Sequence, residues 1–76
     1  MKISVECYSG HRGEETPRRL IFDRRTVDVS EVLDRWLAPD YRYFKLLGAD
    51  GTTYIVRHSE EGWELTMMEK RPGRLA

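Results

Sequence analysis

Three stretches in the second half of the chain, Tyr41 to Leu47, Thr52 to His58 and Gly62 to Met68, are rich in aromatic and β-branched residues. Asp50-Gly51 and Glu60-Glu61-Gly62 punctuate them. Asp-Gly supplies the φ > 0 preference of a hairpin turn, the second signal is looser, and together they predict a three-strand antiparallel meander. In a chain of 76 residues this leaves little sequence for a separate pocket. With those turns, a cross-strand count puts Tyr43, Leu47, Tyr54, Val56, Trp63, Leu65 and Met67 on one face. Phe44, Leu46, Ile55 and Met68 fall on the other. Two partly apolar faces need two covers.

The first half supplies candidates for those covers. Lys2 to Tyr8 alternates, with Ile3, Val5 and Cys7 on one side, which is the period-two pattern of a half-buried strand. Ser9 to Pro17 gathers Gly10, Gly13, Pro17 and polar residues and reads as the longest connection. Leu20 to Phe22 and Thr26 to Val29 flank Asp23-Arg24-Arg25 as a short hairpin. Val29, Val32, Leu33, Trp36 and Leu37 then fall at i, i+3, i+4, i+7 and i+8, one stripe of a helix. Asp28 with Glu31 has capping-box spacing, and Pro39 stops the helix near Ala38. The expected fold is therefore α+β: a curled antiparallel sheet or small open barrel of five to six strands with one short helix, in the order β-β-β-α-β-β-β. Residues 1–69 read as a single domain and 70–76, with Pro72 and Gly73, as a frayed tail.

A domain of this size buries only about 60% of the surface its unfolded chain exposes. Thirteen Lys plus Arg balance thirteen Asp plus Glu, which removes the overall basic field that steers a protein to nucleic acid or an anionic membrane. Any such binding needs local segregation of charge. Cys7, the one cysteine, cannot close an intrachain disulfide, and small secreted domains usually carry several. No apolar run approaches the roughly 20 residues that span a bilayer, and Glu6 interrupts the N-terminal stretch where a signal peptide needs an apolar core. The expectation is a cytoplasmic protein with no membrane partner.

Chemistry is sparse. Around Gly10 and Gly13, the residues His11, Arg12, Glu14 and Glu15 form a candidate ligand or anion loop, although it lacks the lysine and glycine spacing of a P-loop. Cys7, His11 and His58 show no metal-ligand spacing, so neither a metal nor another cofactor is expected. No nucleophile, base and orienting group stand at recognisable spacing, and the expectation is that the protein is not an enzyme. Arg18, Arg19, Arg24 and Arg25, with Tyr41 and Tyr43 nearby, are the candidate nucleic-acid residues, because small curled β domains bind single strands through cations and stacking rings. Their bland reading is a charged edge that discourages aggregation. Phe44, Leu46, Ile55 and Met68 are the candidate protein-contact face, for a second copy or another protein, unless the N-terminal strands cover them.

Taken together, Glu14 to Leu20, Val32 to Trp36, Tyr54 to His58 and Trp63 to Leu65 resemble segments of a group of small uncharacterised bacterial proteins, some described only as hypothetical or cytoplasmic. The likeness would cover residues 3 to 68 and implies a bacterial, cytosolic protein, with no activity to carry onto these positions. The functional expectation is a non-catalytic binding or accessory module acting through protein contact, as a homo-oligomer or with another protein. The alternative is a nucleic-acid-binding module using the arginine cluster and aromatic residues.

Overall fold

The computed structural model describes residues 1–9 and 15–70, without the side chains of Ser9 and Glu15. Six strands follow one another: β1 (Lys2–Ser9), β2 (Glu15–Ile21), β3 (Thr26–Leu37), β4 (Arg42–Gly48), β5 (Thr52–Ser59) and β6 (Gly62–Lys70). Each is antiparallel to the next, and β6 returns to β1 through Lys2↔Glu64 and Ile3↔Trp63, closing a barrel. Closure explains how so short a chain can dispense with a helix, since a sheet curled on itself covers its own apolar face.

Leu20, Val27, Phe44, Leu46, Tyr54 and Val56 are buried inside, and Ile3, Val5, Phe22, Val29, Val32, Trp63 and Leu65 pack around them. The rings of Phe44 and Trp63 meet tilted at 5.6 Å. Pro17 is also fully buried, within β2. It is tolerated there because the register shifts from Glu6↔Arg19 to Cys7↔Pro17, a bulge that relaxes the ladder where proline has no N–H to give. The predicted connection from Ser9 to Pro17 is shortened accordingly, with β2 beginning at Glu15. Lys70, expected in the tail, pairs with Thr52 at the end of β6, while 71–76 lie outside the described residues.

The α+β expectation is overturned: among the described residues there is no helix, and Val29 to Leu37 is the far part of the twelve-residue β3. The helical spacing has a different origin. β3 shifts register against β4 between Val29 and Glu31 and again between Val32 and Asp34, leaving Ser30 and Leu33 as extra residues. A bulge lets residues three apart return to the same face, so Val29 and Val32 both pack on the core from a strand. The rest of the stripe does not: Leu33, Trp36 and Leu37 are exposed. A nine-residue helix needs a packed face to persist, and these exposed residues offer none to the core, whereas the ladder to β4 pairs Trp36 with Tyr43.

The face count also needs correction at β4. It follows only if Asp50-Gly51 alone spans the turn. Instead Gly51 N–H donates to Gly48 O at 2.9 Å and Gly51 itself takes φ +85, so the loop holds Ala49, Asp50 and Gly51. One additional residue flips every side chain of one strand relative to the other. The resulting register is Phe44↔Val56 and Leu46↔Tyr54, which turns Phe44 and Leu46 inward and Tyr43 outward. The expected contact face of Phe44, Leu46, Ile55 and Met68 therefore does not exist as one surface: the first two are in the core, Ile55 is half-buried and Met68 exposed.

Candidate functional site

The turns place two different constellations at opposite ends of the barrel. At one end, the β2–β3 turn and the β4–β5 turn meet. Asp50 Oδ2 accepts the Tyr54 hydroxyl at 2.8 Å, Asp50 Oδ1 accepts Thr52 N–H at 3.0 Å, and Arg25 lies 3.8 Å from the same carboxylate. Arg25 Nη2 also donates to the Tyr54 hydroxyl at 3.4 Å, and its guanidinium sits 5.3 Å from the Phe22 ring centroid. Burial pushes the Asp50 carboxyl up, but the Thr52 amide, the Tyr54 hydroxyl and Arg25 outweigh it and hold it below the ordinary carboxylate value. Burial and the Asp50 charge raise Tyr54. Gly48 leaves room for this packing, since a Cβ there would lie 2.6 Å from Asp50 Oδ1 and 2.8 Å from Tyr54 Cε2. Each polar group has its partner, so this end is a structural lock.

At the other end, β3 runs on past its pairing with β2 and stays paired with β4, and this stretch of β3 with β4 forms an arm along the barrel wall. Its two-residue loop, Pro39-Asp40, is closed by the reciprocal bonds Ala38 N–H to Tyr41 O at 2.8 Å and Tyr41 N–H to Ala38 O at 3.3 Å. Antiparallel pairs alternate between bonded and non-bonded, so Trp36↔Tyr43 is the next bonded pair, while Arg35 and Leu37 direct their N–H and C=O away from β4. β2 pairs with β3 only at Thr26, Val27 and Asp28, and no strand among the described residues lies beyond the far part of β3. On this edge Arg35 N–H is bonded at 2.8 Å to the carboxylate of Asp34 beside it. Along this edge Leu33 is 43%, Trp36 40% and Leu37 78% exposed, with Trp36 and Leu37 on opposite faces of the strand.

A single register row crosses the outer face of the arm: Trp36 on β3, Tyr43 on β4, Arg57 on β5, Glu64 on β6 and Lys2 on β1. The Trp36 and Tyr43 rings stack at 5.2 Å, 4° from parallel. Arg57 Nη2 is 2.7 Å from Glu64 Oε1, and its guanidinium is 4.1 Å from the Tyr41 ring centroid. Hydrogen bonds to Tyr43 and Glu64 push the Arg57 pKa up, and Arg57 in turn holds the Glu64 carboxyl low. Tyr43 is thereby fixed from behind, and Trp36 is presented at the edge, where no strand among the described residues pairs beyond it.

The predicted nucleic-acid residues do not gather. Arg19 donates to Asp28 at 2.8 Å and to Glu6 at 3.2 Å; Arg18 lies over Tyr8 at 5.2 Å; Arg24 and Arg25 belong to the lock end. Tyr41 and Tyr43 are on the arm, at the opposite end from Arg24 and Arg25, and their cation is Arg57. Of the ligand-loop candidates, His11, Arg12 and Glu14 lie outside the described residues, and Glu15 enters β2. Among the described residues no three His, Cys, Asp or Glu come together in a way that could hold a metal ion. Trp36 and Leu37 were concealed by their helical spacing. The signal that exposes them is the Pro39-Asp40 turn, around which Trp36 and Tyr43 are mirror positions of a hairpin. Compared with known protein families, curated proteins and solved structures, the chain matches none.

Proposed function

We propose that this protein is a non-catalytic binding module that works through protein contact, with the β3–β4 arm as its contact surface. One observation supports the reading above others: Leu33, Trp36 and Leu37 are all exposed on a stretch of strand that pairs with β4 alone among the described residues. Exposed aromatic and aliphatic side chains around an open strand edge are what a strand-adding or hot-spot contact uses. The nucleic-acid alternative keeps its aromatic rings but is weakened by the carboxylates that hold Arg19, Arg25 and Arg57.

The test is site-directed photo-crosslinking in cells that express the protein, with the crosslinking residue at Leu37 or, as control, at Glu69. Discrete protein adducts at Leu37, absent at Glu69, are expected. Adducts that are the same from both positions, or none from Leu37, contradict the reading. Tight binding of a labelled single-stranded oligonucleotide at moderate salt, lost on Trp36→Ala, would favour the alternative instead.

A further inference from the structure

We propose that the inner face of the barrel at the arm end takes a carboxylate, presented by an aspartate or glutamate beside an apolar side chain on a partner protein. This rests on the reading of the protein as a contact module and gives the partner's chemistry. On the outer face the ladders set opposite charges side by side. Lys2↔Glu64 and Glu64↔Arg57 make one such row, Glu6↔Arg19 and Arg19↔Asp28 another, and Asp34 faces Lys45 on the arm. Opposite charges in register stabilise a sheet, whereas like charges in register destabilise it.

The inner face breaks that pattern where the barrel meets the arm. Arg42 lies opposite Leu37 on β3 and His58 on β5, and His58 lies opposite Trp63 on β6. Arg35 lies opposite Phe44, which makes it the diagonal neighbour of Arg42, and long side chains reach one another across that diagonal. Ring contacts place the group on one side: the Arg35 guanidinium is 5.9 Å from the Phe44 centroid, Phe44 meets Trp63, and His58 stacks on Trp63 at 4.3 Å and 16°. Arg19, Arg25 and Arg57 each have a carboxylate partner, but among the described residues Arg35 and Arg42 have none. Two exposed guanidiniums therefore share a face with an imidazole and no acid. Guanidinium forks match the two oxygens of a carboxylate, and forks on diagonal positions hold one carboxylate from two sides. Leu37, in the same row as Arg42 and 78% exposed, supplies the apolar contact next to it. A phosphate chain fits less well, because Asp40, Glu60 and Glu61 line a hollow between the two turns at this end and repel a polyanion laid across it.

NMR titration with a short acetylated and amidated peptide carrying one glutamate next to a leucine tests the proposal. The His58 ring and Trp63 indole signals should shift, while the Trp36 indole, on the other face of the arm, stays in place, and the same peptide with glutamine for glutamate should shift neither. Changing Arg35→Gln and Arg42→Gln together should weaken binding about tenfold or more, and Arg24→Gln at the lock end should not change it. Arg35→Lys with Arg42→Lys, which keeps the charges and removes the forks, should also weaken it and serves where the glutamine pair folds poorly. No shift at millimolar peptide, equal binding of the glutamine peptide, or affinity indifferent to the arginine changes overturns the proposal. So does an oligothymidylate that binds the same residues more tightly than the peptide. Discrete crosslinks from Leu37 together with no response to the peptide would leave the contact reading standing without the carboxylate.

Discussion

The lock end and the arm are both made of β-hairpin turns, yet they use their polar and aromatic groups in opposite ways. At the lock, Tyr54 is wholly buried, its hydroxyl spent on Asp50, and its ring is 5.9 Å from that of Phe22. At the arm, Trp36 stacks on Tyr43 but stays 40% exposed, and among the described residues no strand receives the backbone of Leu37. The difference teaches where stability resides in this small barrel and where the proposed contact would draw its groups. Satisfied, enclosed groups hold the fold, while incompletely covered ones remain available for binding.

Substitutions on the two sides should separate sharply. Tyr54→Ala empties the centre of the core and is expected to cost about 3–5 kcal/mol in chemical denaturation, enough to unfold a domain of this size in mild denaturant. Gly48→Ala forces a methyl against Asp50, Tyr54 and Val27 and should cost about 1–3 kcal/mol by the same measurement. Tyr54→Phe preserves the ring and removes only the hydroxyl donor, so about 1–2 kcal/mol is expected.

Acid sharpens the comparison further. Asp50 and Glu64 both have carboxyls held below the ordinary range, so folding favours their charged forms. That stability is complete above the unfolded value, near pH 4, and is lost as pH falls through the lower folded value. Melting temperature should therefore drop on acidification below about pH 4, and Asp50→Asn, less stable at neutral pH, should lose less over the same interval. The smallest effect belongs to the arm. Leu37→Ala should change monomer stability by no more than about 0.5 kcal/mol in dilute solution. A cost comparable with that of Tyr54→Phe would erase the distinction between the two ends.

Much of this arrangement was legible where alternation is undisturbed. β1, the hairpin around Asp23 to Arg25, and the shared inward face of Tyr54, Val56, Trp63 and Leu65 all follow period two. Three irregularities defeat the rest. Extra residues at Ser30 and Leu33 give β3 a spacing that a helix would also produce, a third loop residue at the Ala49 to Gly51 turn inverts β4, and an extra residue at Thr66 exchanges the faces expected of Met67 and Met68. Bulges and loop lengths depend on the curvature needed to close the barrel, a property of the whole sheet that no local window contains. The exposed residues of the arm were hidden by the same cause, because Trp36 and Leu37 looked like core only on a helix.

Amide hydrogen exchange along Asp34 to Ala38, read by NMR in dilute protein, probes the open edge most directly. Trp36 and Ala38 should be protected by β4 while the Leu37 amide exchanges fast. Uniform protection of all three amides in dilute protein, or a helical pattern of contacts four residues apart, would contradict an unpaired strand edge.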